Sequence, residues 1–247
     1  MKLRRNLVLI AAGLLLVGSF FLPNAVAGVT DARRLGSITT IDSQSFIFDA
    51  VPALSMPDRL ALIANQNTEM LPWRSGNAMD EVDAIRRVAQ EFARFLRGGP
   101  IEFDFQEFSV EESSAVFVID AESPTVNMIV WELTLIDSRE NMAVVTLDDE
   151  TGLIIKIIYR QGRRGQSEGW GAAAPSLGRT DDELHAVATR LTEMMTEYYG
   201  RDITLADYHF SGSTSYYRAD VITGGRAIPM FGVVRSTSFT MNERVQG

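Results

Sequence analysis

Asn127–Arg160, NMIVWELTLIDSRENMAVVTLDDETGLIIKIIYR, decides how the rest of the chain is read. Ile129, Trp131, Leu133 and Leu135 alternate with Met128, Val130, Glu132 and Thr134. Alternation of this kind between polar turn clusters marks antiparallel strands with one face buried. Ser138-Arg139-Glu140-Asn141 supplies the first turn, and Met142–Leu147 runs extended. Asp148-Asp149-Glu150-Thr151-Gly152 supplies the second turn, and Leu153–Tyr159 runs extended again. Gly152 suits a positive-φ position that closes a hairpin without steric cost.

Upstream of this core the pattern turns helical. Pro57 suits a first helical position, and Leu60, Leu62 and Ile63 give a short apolar face ending near Gln66, before Leu71-Pro72-Trp73 breaks the run. A longer helix is expected over about 79–97, with Val82, Ile85, Ala89, Phe92 and Leu96 as its apolar stripe. Asn77 is its expected N-cap, and Gly98-Gly99-Pro100 its stop. Ile101–Phe108 and Ala115–Ile119 read as two further strands.

Downstream, Gln161–Gly178 contains five glycines and no apolar periodicity, and reads as a linker. Thr180-Asp181-Asp182-Glu183 is a capping box, opening a helix with Leu184, Ala188, Leu191, Met195 and Tyr198 inward and Gly200 at its end. Strand-like runs follow at Ile203–Phe210, Tyr216–Ile222, Ile228–Val234 and Phe239–Met241. Both sides of the glycine-rich segment therefore read as a helix followed by an antiparallel meander. The expectation is an α+β chain of two such units, 75–160 and a smaller 179–247, hinged at 161–178. Residues 28–74 form a stalk and short helix, in which Ser45-Phe46-Ile47-Phe48 suits an edge strand.

The N-terminus carries its own signal. Lys2, Arg4 and Arg5 precede the uncharged 16-residue run LVLIAAGLLLVGSFFL, and Ala25-Val26-Ala27 offers a small-x-small cleavage pattern. Extended through Val29, the run reaches 23 residues, enough to cross a bilayer. Residues 1–27 thus read as a signal peptide or a retained membrane anchor. Both place the remainder outside the cytoplasm, because the basic flank stays inside. Without residues 1–27 the chain holds 20 basic against 32 acidic residues, a formal charge of −12. Such a surface disfavours nucleic acid and offers no polybasic patch to anionic lipid. Cysteine is absent, which removes disulfides, thiolate ligands and thiol nucleophiles.

With Trp131-Glu132-Leu133 in one strand and Leu147-Asp148-x-x-x-Gly152-Leu153 closing the next hairpin, 79–160 resembles the PepSY group of cystatin-like domains. Residues 180–243 resemble it less, lacking both the Trp and the Asp-to-Gly hairpin. The resemblance implies tandem cystatin-like units behind an N-terminal membrane segment. It also implies extracytoplasmic, non-catalytic modules that inhibit, sense or scaffold other proteins of the bacterial cell envelope.

Residues that bear chemistry have plainer readings. His185 and His209, the two histidines, lie on a helix and in a strand, with no HExxH-type spacing. Asp148-Asp149-Glu150 lacks the ligand spacing of a calcium loop and reads as a solvated turn. Ser211-Gly212-Ser213 is no nucleophile elbow, and Gly162–Gly171 holds no phosphate-binding pattern. Met194-Met195 and Tyr216-Tyr217 read as core and strand residues. No catalytic, cofactor-binding or metal residues are assigned, and no cofactor is expected.

Three classes of function fit: a membrane-tethered interaction or regulatory module, a structural component of an envelope or secretion assembly, and a secreted peptidase inhibitor or hydrolase. The first is preferred, with another envelope protein or peptide as partner. Ala121-Glu122-Ser123-Pro124-Thr125 is the best candidate for an inhibitory loop. Export is tested by fusing to the C-terminus a reporter active only in the cytoplasm. The expected result is an inactive reporter in intact cells; strong cytoplasmic activity contradicts export.

Overall fold

At the turn on which the sequence reading rests, Gly152 has φ 68° and its amide donates to the Asp148 carbonyl at 2.9 Å. The computed structural model describes residues 54–162 and 176–243. The 1–27 segment, the 28–53 part of the stalk including Ser45–Phe48, and most of the glycine-rich segment lie outside the described residues.

The described elements are α1 (Met56–Ala64), β1 (Thr68–Trp73), α2 (Glu81–Phe95), β2 (Phe108–Asp120), β3 (Asn127–Asp137), β4 (Met142–Asp148) and β5 (Ile154–Arg160). They continue with α3 (Asp181–Tyr199), β6 (Asp202–Ser211), β7 (Thr214–Thr223), β8 (Arg226–Arg235) and β9 (Ser238–Met241). All nine strands form one antiparallel sheet in the order β1-β2-β3-β4-β5-β9-β8-β7-β6.

This overturns the expectation of tandem cystatin-like units on a hinge. The first meander ends at β5 and the second at β9, and those two strands pair with each other. Ile157, Ile158, Tyr159 and Arg160 lie opposite Met241, Thr240, Phe239 and Ser238. The Tyr159 and Phe239 rings stack across this seam at 5.6 Å. Strand β5 would otherwise leave a row of unpaired backbone groups beside an apolar face, and β9 satisfies them.

Strand alternation assigns the two faces. On one, Trp131, Leu133, Leu135, Ala143, Val145, Leu147, Ile157, Tyr159, Phe239, Met241, Tyr217 and Ala219 are all buried. Helix α2 lies against β2 to β5 on this covered face, and α3 lies against β6, β7 and β8. The helices meet through Phe95 and Tyr198, edge to face at 5.5 Å, with Arg94 over the Tyr198 ring at 4.5 Å. The second face carries α1, which touches β2, β5 and β8. Helix α1 thus covers the middle of this second face, across the seam.

Trp131 is buried in phase with Leu133 and Leu135, as its alternation requires, and α3 buries the five residues expected of it. The capping box at Thr180 forms, and Gly200 ends the helix at φ 60°. Four expectations are corrected. Helix α2 is capped by Asp80 rather than Asn77, and its buried stripe is Ala84, Val88, Glu91, Phe92 and Phe95, leaving Val82 63% exposed. Glu91 can be buried because Arg87, Arg94 and the Tyr198 hydroxyl surround its carboxylate. Residues 101–107 are irregular rather than a strand: Phe103 and Phe105 both turn onto Phe92, at 5.3 and 5.5 Å. Leu71-Pro72-Trp73 lies within edge strand β1, where the missing proline amide costs no ladder bond.

The seam makes a clear prediction. If the chain is severed at a protease site inserted between Gly162 and Ser176, the two fragments should stay together in native size-exclusion chromatography. Fragments eluting separately contradict a shared sheet.

Candidate functional site

Asp148 and Asp149, adjacent at the end of β4, are sent to opposite faces by the alternation of the strand. Asp148 is fully buried on the second face and meets Arg59 of α1 at 2.6 Å, with Arg59 itself 2% exposed. Glu150 holds the second guanidinium nitrogen, and the Thr151 amide and hydroxyl close on Asp148 from the turn. Burial works against the Arg59 charge, but the bonds to Glu150 and Asp148 outweigh it and raise its pKa. Asp149 turns to the covered face. It accepts the amides of Asn77, Ala78 and Met79 at 2.7, 2.8 and 3.1 Å, and the Trp131 indole N–H at 3.0 Å. A Cβ on Gly76 would lie 1.9 Å from the Asp149 carboxylate, so the approach needs glycine there. This turn, expected to be solvated, is instead a buried double clamp that fixes α1 on one face and the lead into α2 on the other.

The remaining residues considered from sequence do not converge. His185 is exposed on α3 and packs against Tyr208 at 4.5 Å between ring centres, on the covered side of β6. His209, next along the strand, points to the second face. Ser211-Gly212-Ser213 forms the exposed β6–β7 turn, Ala121–Thr125 is an exposed loop, Met194 and Met195 are core, and Tyr216 is exposed while Tyr217 is buried. Among the described residues no group of three His, Asp or Glu is placed to hold a metal ion.

Two surfaces among the described residues lie along the seam. The first is a recess of about 340 Å³ at one end of the seam, lined by Ile101, Glu102, Arg139, Asn141, Tyr159 and Gln161 among others. Its polar groups are mostly spent internally. The Tyr159 hydroxyl and the Asn141 amide both donate to the Glu102 carbonyl, and Arg139 pairs with the Glu102 carboxylate at 2.6 Å. Burial, with Asp137 and Glu102 nearby, raises the Tyr159 pKa and keeps the phenol neutral. Only the Gln161 side-chain oxygen is buried there without a partner. The recess works as a joint between the α2–β2 loop, the β3–β4 turn and β5.

The second surface is the part of the second face that α1 leaves open. Register places Glu112, Thr134, Val144, Ile158, Thr240, Val233, Tyr216 and His209 in one row across eight strands. The neighbouring row runs Ile136, Met142, Arg160, Ser238, Arg235 and Thr214. Val144, Ile158, Ile136 and Met142 are half-buried, while Tyr216 is 48% exposed and Ile222, on the same face, 38%. Between them Val233 and Thr240 are buried, and the Thr240 hydroxyl donates to the Glu243 carboxylate at 2.7 Å. Partly exposed apolar side chains thus flank the seam on both sides. No signal in the sequence gathers the apolar residues, which come from five strands and meet only through register.

Comparison with family models, with curated proteins and with solved structures finds no match to this chain. The resemblance to PepSY domains therefore rests on the residues quoted for it.

The clamp yields a prediction about stability. Arg59→Ala, which strands a buried carboxylate, should cost about 3–5 kcal/mol in urea unfolding. Asp149→Ala, which leaves buried donors without an acceptor, should cost about 3 kcal/mol. A solvated turn would instead tolerate both with an unchanged midpoint.

Proposed function

We propose that this chain is a non-catalytic, membrane-tethered interaction module on the outer side of a bacterial membrane, and that it engages a protein partner through the open part of the sheet face that carries α1. The partly exposed apolar side chains on either side of the seam, Ile136, Val144, Ile158, Tyr216 and Ile222, support this reading more than any other observation. Monomeric surfaces scatter single apolar side chains, whereas several on one sheet face beside a helix have the character of a contact surface. The tether is the N-terminal apolar run; among the described residues no helix is long and apolar enough to cross a membrane. Net negative charge and the lack of a polybasic patch direct the reading toward protein rather than nucleic acid or lipid headgroups.

Site-specific photo-crosslinking in cells tests this. A crosslinking side chain at Val144, Ile158 or Tyr216 should capture one common protein, and the same group at Arg86, exposed on α2, should not. No capture from those three positions, or the same capture from Arg86, contradicts the assignment of the surface.

A further inference from the structure

Strand β7 gives Tyr216, Arg218, Asp220 and Ile222 to the second face, in alternation with the buried Tyr217, Ala219 and Val221. Four large apolar side chains are exposed among the described residues, and Tyr216 and Ile222 are two of them. They bracket a cation and an anion on one strand. Arg218 Nε lies 3.2 Å from the Asp220 carboxylate, but out of line for a hydrogen bond, and is buried without another partner. Helix α1 stands on β2, β5 and β8. Beyond it Asp202, Thr204, Asp207 and His209 of β6 are exposed on the same face, opposite Ile222, Asp220, Arg218 and Tyr216.

Read along β7, the order apolar, cation, anion, apolar is its own complement when reversed. Resting on the reading above, we propose that the partner at the β6–β7 end of this face is a second copy of the chain, its β7 stacked antiparallel on the first about a two-fold axis. Such an interface sets residue i against j and j against i. With the axis over Ala219, Arg218 faces Asp220 of the second copy and Tyr216 faces Ile222 of the second copy, each contact occurring twice. On β6, His209 faces Asp202 of the second copy and Asp207 faces Thr204, so no carboxylate meets another. The parallel arrangement sets Arg218 on Arg218 and Asp220 on Asp220, and like charges in contact oppose association.

The rest of the fold limits this contact. A helix is about 10 Å thick, as thick as the gap between stacked sheets, about 10 Å. The second copy therefore lies over β6 and β7 and diverges toward α1. Two ten-residue strands cover about 34 Å by 10 Å, less than stable soluble dimers use. Confining both copies to one membrane raises their effective concentration, and the N-terminal apolar run supplies that confinement.

The chain has no cysteine, so introduced thiols report contacts without background. Full-length Tyr216→Cys and Ile222→Cys chains are reconstituted in lipid vesicles, together and separately. They are treated with a bismaleimide spanning about 10 Å, the spacing of stacked sheets. The mixture should give a crosslinked dimer. Each variant alone should not, because like positions lie about 20 Å apart along the strands. Val82→Cys, exposed on α2, should link to neither. Arg218→Asp in both chains should weaken the dimer, read from yield against protein-to-lipid ratio. The expected loss is up to about twenty-five-fold, since two exposed pairs each contribute up to about a factor of five. Arg218→Asp with Asp220→Arg should restore it, and thermal melts should show every variant folded. No dimer from the mixture, equal dimer from either variant alone, indifference to Arg218→Asp, or no rescue by the double exchange overturns the proposal. If photo-crosslinking at Tyr216 captures a different protein, the second copy falls and the functional reading stands. Full-length chain that does not float with the vesicles removes the tether, and both readings with it.

Discussion

Four residue pairs between β5 and β9 hold the architecture together. In chain order α2 precedes β2 to β5 and α3 precedes β6 to β9, and by itself each run of strands would end on a strand with one edge free. Joining those two edges removes two templates for wrong pairing and makes one sheet whose remaining edges are β1 and β6. Those edges carry their own protection, Pro72 in β1 and a bulge between Leu205 and Asp207 in β6. The seam also builds the proposed contact surface, since Ile158 and Tyr216 share a row only once β5 and β9 pair.

The second constraint is the pair of buried carboxylates at the end of β4. A strand gives successive side chains to opposite faces, so two consecutive aspartates can secure two helices at once. Asp148 takes the Arg59 guanidinium of α1, and Asp149 takes three amides ahead of α2 and the Trp131 indole. Charge-assisted bonds in a dry setting are strong when every partner is present and costly when one is missing. This turn therefore specifies the layer arrangement more sharply than apolar contacts alone.

Much of the local structure was legible in the sequence because one buried face imposes a period. Ile129 to Leu135 show it in β3, Leu184 to Tyr198 show it in α3, and the Thr180–Glu183 box and Gly200 mark that helix's ends. Helix α2 was read with its stripe displaced because its buried positions include Glu91, a residue that hydropathy assigns to solvent. Phe103 and Phe105 alternate like strand residues, yet both rings pack on Phe92 and the backbone between them is irregular. The joining of the halves was not legible. Ser238–Met241 is four residues long, and nothing in it names a partner almost eighty positions upstream. The candidate surface was hidden for the same reason, because residues such as Ile158 and Tyr216 come to one row only through register.

A single cooperative sheet is the central claim, and native-state hydrogen exchange reads it most directly. Amides in the seam, such as those of Ile158 and Tyr159 in β5 and Thr240 in β9, should exchange only through global unfolding. Their opening free energy should equal that of the core amides of β3 and respond equally to denaturant. Seam amides that open at lower free energy than the cores of both halves, or halves that open with different free energies, would contradict it.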